Sequence, residues 1–206
     1  TNVTSLTQQS SGSLLLSGNN TLTGATTVTS GTLRLAGAGQ NQALRSTAAI
    51  SVASGATLLL GTSDQVNNSA PITLSGGTIT RGSGVSEVFG ELNLTQASFL
   101  DFGAGTAGNM TFGTYTPSSL LTINNFGLGN TLVYSSDLST TITNASYFAF
   151  SGGISSSWDS GTSIFTITAI PETSTYVAAI GLLALMLWPL RRRKGKQVSS
   201  MTSGVW

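Results

Sequence analysis

Val28-Thr29-Ser30-Gly31-Thr32-Leu33-Arg34-Leu35 is the stretch that decides the fold. Apolar and polar residues alternate on both sides of a Ser-Gly step, the period of a strand with one buried face. Glycine supplies the backbone conformations that a tight corner needs. The unit recurs in Val52-Ala53-Ser54-Gly55-Ala56-Thr57-Leu58-Leu59-Leu60 and in Leu74-Ser75-Gly76-Gly77-Thr78-Ile79-Thr80. A weaker copy runs from Leu94 to Asp101, and an earlier one is Ser11-Gly12-Ser13-Leu14-Leu15-Leu16. A repeat at this interval is the signature of a solenoid, in which each unit buries its apolar face only against the next. The fold class expected is therefore all-β, a parallel β-helix or solenoid.

Residues 1–88 and 89–169 differ in what they offer a core. None of the 8 Phe, 4 Tyr and 3 Trp precedes Phe89. The first part is expected to form solenoid repeats around a thin aliphatic core. The second carries Phe99, Phe102, Phe112, Phe126, Tyr134, Phe148, Phe150, Trp158 and Phe165, and keeps strand alternation in Ile164-Phe165-Thr166-Ile167-Thr168. An open solenoid end exposes unpaired strand edges, so terminal units are usually atypical caps. The expectation for 89–169 is wider, aromatic-rich rungs ending in a β cap; an independent small β-sandwich is the alternative.

The segment from Ser11 to Leu33 is similar to the autotransporter-associated β-strand repeat. Gly12, Leu14, Leu16, Gly18, Asn20, Thr21, Gly24, Thr26, Val28, Gly31, Thr32 and Leu33 fall on that family's positions. The resemblance covers about thirty residues and implies a right-handed parallel β-helix and an exported passenger.

Residues 170–206 read as an address. Ile170-Pro171-Glu172-Thr173-Ser174-Thr175 is followed by an apolar run from Tyr176 to Leu190, then by Arg191-Arg192-Arg193-Lys194-Gly195-Lys196. A bilayer core needs roughly 20 apolar helical residues, so the run spans as one transmembrane helix only with local thinning or snorkelling. The basic cluster marks the cytoplasmic flank. This tail resembles a PEP-CTERM sorting signal, the tag read by exosortases in Gram-negative bacteria. Pro171 and Glu172 match that motif, and Thr173 stands where the family has a second proline. The resemblance implies an exosortase-type partner, a membrane intermediate through residues 176–190 with Arg191, Arg192, Arg193 and Lys194 as stop, and trimming near Pro171. Ile170 to Ser174 also lies two substitutions from the Leu-Pro-x-Thr-Gly motif of sortase substrates. The chain opens at Thr1 without a signal region, so a missing N-terminal part is expected.

Composition narrows the chemistry. Charged residues are 7% of the chain, against about 25% in typical domains. Before Pro171 there are three basic residues (Arg34, Arg45, Arg81) and six acids, a net of −3. No basic patch speaks for nucleic acid. Cys and His are absent, which removes thiol chemistry and the commonest general base and metal ligand. No cofactor and no metal is expected.

The acids Asp64, Glu87, Glu91, Asp101, Asp137 and Asp159 are scattered, and the expectation is that all six are solvated strand-edge or turn groups. Glu87 and Glu91, four apart, would lie about 13 Å apart on one strand face, wide for a glycosidase pair, unless the chain turns at Gly90. Gly82-Ser83-Gly84 and Gly103-Ala104-Gly105 lack the strand-then-helix setting of a phosphate loop and read as turns. Outward Thr, Ser and Asn ladders would suit an extracellular polysaccharide, with Trp158 or Tyr115 as stacking platforms. The expected function is that of a non-enzymatic surface or extracellular-matrix structural protein. A glycan-binding adhesin or autotransporter-like passenger is the alternative, and a polysaccharide-active β-helix enzyme ranks below both.

Overall fold

Alternating strands separated by corners can satisfy their backbone groups only against the turns before and after them. The computed structural model describes residues 4–37 and 43–171, and there the chain is a parallel solenoid of about six turns. Strands are numbered along the chain. The first face stacks β1 (Leu6–Gln8), β3 (Thr26–Val28), β5 (Ile50–Ala53), β7 (Ile72–Ser75) and β10 (Leu92–Gln96), all parallel. The second face stacks β2 (Ser13–Leu16), β4 (Thr32–Leu35), β6 (Thr57–Leu60), β8 (Thr78–Arg81), β11 (Ser98–Asp101), β13 (Leu121–Asn124) and β15 (Phe148–Phe150), also parallel. Each Ser-Gly or Gly-Gly step picked out in the sequence is a corner between a first-face strand and its second-face successor.

Register converts the repeat into a core. Leu14, Leu33, Leu58, Ile79, Leu100, Ile123 and Phe150 form one inward column of the second face. From Leu33 to Ile123 its members are wholly buried, each worth about 1.5–3 kcal/mol of apolar transfer. On the first face Val28, Val52, Leu74 and Leu94 form the matching column. On the first face the outward positions between them are Thr27, Ser51, Thr73 and Asn93, in line with β-propensity and solvation without charge.

A third face opens only in the later turns. It begins with β9 (Glu87–Val88) and continues through β12 (Asn109–Phe112) and β14 (Thr131–Tyr134). Among the described residues of the turns before it, the corresponding side holds a bridge from Leu44 to Val66. Aromatic residues fill the enlarged interior. Phe89 stacks on Phe112 at 5.2 Å, Phe112 on Tyr134 at 5.7 Å and Tyr115 on Tyr134 at 5.3 Å. Phe102 meets Phe126 edge-on at 4.8 Å. The aromatic strands share sheets with the aliphatic ones, since β13 and β15 continue the stack of β8 and β11. At the far end β16 (Ile154–Asp159) and β17 (Ile164–Ala169) form an antiparallel hairpin, and β17 pairs antiparallel with β14.

No helix among the described residues is long and apolar enough to cross a membrane. The expected transmembrane helix Tyr176–Leu190 lies outside the described residues, as do Glu172, Thr173 and the basic cluster Arg191, Arg192, Arg193 and Lys194.

Two corner glycines separate steric need from backbone preference. Both Gly31 and Gly55 have positive φ, +65° and +75°. A Cβ on Gly31 would sit 2.3 Å from the carbonyl oxygens of Gly12 and Ser10, one turn away, whereas a Cβ on Gly55 would meet nothing within 4 Å. Gly55→Ala should therefore cost about 1–2 kcal/mol, the left-handed penalty alone. Gly31→Ala should cost on the order of 3 kcal/mol or more, because β2 and β4 must also separate. Urea unfolding midpoints of the two variants check this; equal losses would refute the close-approach argument.

Candidate functional site

Three of the six acids cap turns. Asp101 Oδ1 accepts from Gly103 N at 2.8 Å and from Asn125 Nδ2 at 2.7 Å. Asp137 Oδ1 accepts from Ser139 N, and Asp159 from Gly161 N and from the hydroxyl of Thr162. Those last bonds hold the Asp159 carboxyl below its ordinary range, with the Thr162 hydroxyl the largest cause. Asp64 is half-buried in a turn with φ +53°, and Glu91 is exposed. The chain does bend at Gly90, so Glu87 and Glu91 do not share a strand face.

Glu87 departs from the expectation of a solvated acid: it is 1% exposed. It occupies an inward position at the start of the third face, in the column Glu87, Met110, Leu132, Ile167. Its carboxylate reaches back one turn and accepts from Gln65 N at 2.7 Å and Val66 N at 3.3 Å, and also from Val88 N. The carboxylate thus satisfies backbone donors of the preceding turn at the place where, among the described residues, the third sheet begins. Burial pushes its pKa from the usual 4.5 up to about 7, opposed by those three N–H groups and reinforced by Asp64.

Arg81 is likewise inward and 2% exposed, at the end of the column Leu16, Leu35, Leu60, Arg81. Its guanidinium donates to Gly82 O at 2.9 Å, to Thr106 O at 3.3 Å and to Asn130 Oδ1, and lies 5.1 Å over the Phe102 ring. Asn130 Oδ1 also accepts from Gly108 N, so one side chain ties three successive turns together. Burial lowers the Arg81 pKa and the field of Asp101 opposes the shift. A signal for both residues was present in the sequence. Ile79 and Phe89 must face the core, and by period two Arg81 and Glu87 face the same way.

The aromatic platforms are also redistributed. Tyr115, expected as a stacking platform, is buried against Tyr134 and Phe148. Burial raises the hydroxyl pKa of Tyr115, and that of Tyr134 well above its usual value. Trp158 is half-buried against the core, opposite Phe165 in the hairpin. Among the described residues the exposed aromatic side chain is Phe99, 40% exposed on the outward side of β11. Its row on the second face runs Ser13, Thr32, Thr57, Thr78, Phe99, Thr122, Ala149. The parallel row runs Leu15, Arg34, Leu59, Thr80, Asp101, Asn124. Phe99 was expected among the aromatic residues of the wider rungs, with Trp158 or Tyr115 as the outward platforms, but it alternates with the inward Leu100 and so takes the outer side of β11.

Gly82-Ser83-Gly84 and Gly103-Ala104-Gly105 are turns, stacked one on the other through Ser83 Oγ and Thr106 Oγ1 at 3.0 Å. Among the described residues no three acids come together in an arrangement that could hold a metal. Of the expected sorting residues, Pro171 is the described one, half-buried and irregular.

A family model, the passenger-associated-transport-repeat, matches residues 6–35. The match covers β1 through β4, the first two turns. No curated protein and no solved structure matches the chain significantly. The repeat and the β-solenoid together fit an autotransporter-like passenger, an exported cell-surface protein.

Glu87 makes stability depend on pH in a defined direction. Its folded pKa lies above its unfolded one, so the folded state binds the proton more tightly. That contribution is complete below about pH 4.5, declines as pH rises, and is gone above about 7, a fall on the order of 3 kcal/mol. In urea titrations at several pH values, Glu87→Gln should lack this decline. Parallel wild-type and variant curves would refute it.

Proposed function

We propose that the chain is the structural passenger of an exported surface protein, non-enzymatic, delivered and trimmed through an exosortase-type C-terminal signal. The observation that carries the exported-scaffold reading is the passenger-repeat match over residues 6–35 on the first two turns of a solenoid. The non-enzymatic part draws on the acids: Asp101, Asp137 and Asp159 are spent on turns, and Glu87 is engaged with backbone N–H groups inside the wall. A catalytic carboxylate pair must instead face a shared space that admits substrate.

The sorting part draws on sequence. Pro171, Glu172 and Thr173 would be the recognised motif, Tyr176–Leu190 the transient membrane anchor, and Arg191, Arg192, Arg193 and Lys194 the cytoplasmic stop. The partner is then a membrane-embedded processing enzyme, and the destination is the cell surface or extracellular matrix.

The test is the intact mass of the protein recovered from cell surface and medium. A C-terminus between Ile170 and Thr175 is expected, and Glu172→Ala should instead accumulate full-length protein in the membrane fraction. Normal trimming of that variant, or mature protein still ending at Trp206, would remove the sorting reading. Replacing Arg191, Arg192, Arg193, Lys194 and Lys196 by Ser should weaken membrane retention of the precursor, read by protease protection.

A further inference from the structure

Phe99 stands out against the surface around it. On the turns next to it the outward positions of the second face are Thr78, Thr80, Thr122 and Asn124, yet an aromatic ring 40% exposed sits in the fifth turn. It is the described exposed aromatic on a face whose other exposed large apolar side chain, Leu15, lies at its far end. Its row neighbours are Thr78 on the preceding turn and Thr122 on the following one. Strands of neighbouring turns lie about 4.8 Å apart, and side chains two residues apart on one face about 6.6 Å. Thr80, Asp101 and Asn124 therefore form the neighbouring outward row, one residue-pair spacing along the strands from the row of Phe99.

The polar groups around the ring are open. Among the described residues the side chains of Thr78, Thr80, Thr122 and Asn124 have no internal hydrogen-bond partner. That differs from Thr29, Thr47, Thr62 and Thr95, whose hydroxyls are tied to neighbouring turns. Asp101 is held by Gly103 N and Asn125 Nδ2 through Oδ1 alone, which fixes the carboxylate and leaves Oδ2 available. An apolar ring bordered by uncommitted hydroxyl and amide groups and one held carboxylate is complementary to a sugar ring, with its C–H face and rim of hydroxyls.

Charge selects among sugars. Arg81 and Glu87 are buried, so the described exterior carries Arg34 and Arg45 against Asp64, Glu91, Asp101, Asp137 and Asp159. An anionic glycan would be repelled, above all at Asp101. The face continues in register above and below the ring, so an extended chain can lie along it.

We propose that Phe99, with Thr78, Thr80, Asp101, Thr122 and Asn124, forms a binding site for an uncharged polysaccharide chain on the outer second face. This rests on the surface-passenger reading for its biological setting, but the site itself is a property of the solenoid wall. Purified full-length protein is mixed with insoluble cellulose and, separately, with insoluble β-1,3-glucan, and depletion from the supernatant is measured at low and high salt.

The wild type should bind at least one of the two, with little dependence on salt. Phe99→Ala should weaken binding about tenfold, the worth of one lost stacking contact, and the variant, its unfolding midpoint somewhat lowered because the ring is only 40% exposed, is compared at a temperature where both proteins are fully folded. Phe99→Trp should retain or strengthen it, and Trp158→Ala should leave it unaltered. No binding to either polysaccharide, or equal binding by Phe99→Ala, overturns the proposal and leaves Phe99 an ordinary surface residue. The outcome is independent of sorting: failure of C-terminal trimming leaves binding by purified protein intact, and failure of binding leaves trimming intact.

Discussion

One turn of this solenoid cannot bury its own apolar side chains; its inward residues are covered by residues of the turns above and below, chiefly their register mates. Backbone hydrogen bonds obey the same rule, because the strands of a turn face different sides and pair only with their counterparts. Everything else follows from keeping that register. Corner glycines allow turns to approach within a carbonyl's reach, as at Gly31 over Gly12. Small hydroxyl residues on the outside satisfy strand propensity without adding charge that would repel along a ladder about 4.8 Å in pitch.

The buried charged residues answer a local failure of the rule. Where the third face begins, the Glu87 carboxylate takes the N–H groups of Gln65 and Val66 on the preceding turn. Where the turns widen, Arg81 spans from its own corner to Thr106 and Asn130. Neither group is cheap to bury. Their cost is offset by the bonds they make at the junction between the narrow aliphatic turns and the broad aromatic ones, Glu87 with three backbone N–H groups and Arg81 with two carbonyls and Asn130.

Much of this was readable from the sequence because period two and a Ser-Gly corner are local signals. The repeats at Val28, Val52 and Leu74 lie on adjacent turns in the register their alignment implies. The third face was not foreseen, since Glu87–Val88 is two residues long and carries no alternation of its own. Glu87 and Arg81 were read by type, as charges that belong in water, when their parity with Phe89 and Ile79 pointed inward. Tyr115 and Phe99 were exchanged for a related reason. Composition announces how many aromatic rings there are, but only register says which side of the wall each one takes. The family match adds an exported setting through the first two turns, where sequence alone had found the same repeat.

The distance along the chain between covering residues is nearly constant. In the inward column from Leu14 to Phe150, successive partners are 19 to 27 residues apart. Each added turn therefore closes a loop of about the same size and meets the same entropic toll, however long the finished rod. Assembly can proceed as a zipper, one turn templating the next without waiting for a distant segment. A chain threaded through a narrow opening end-first can thus become ordered at the pace it emerges, and the ordered part resists sliding back.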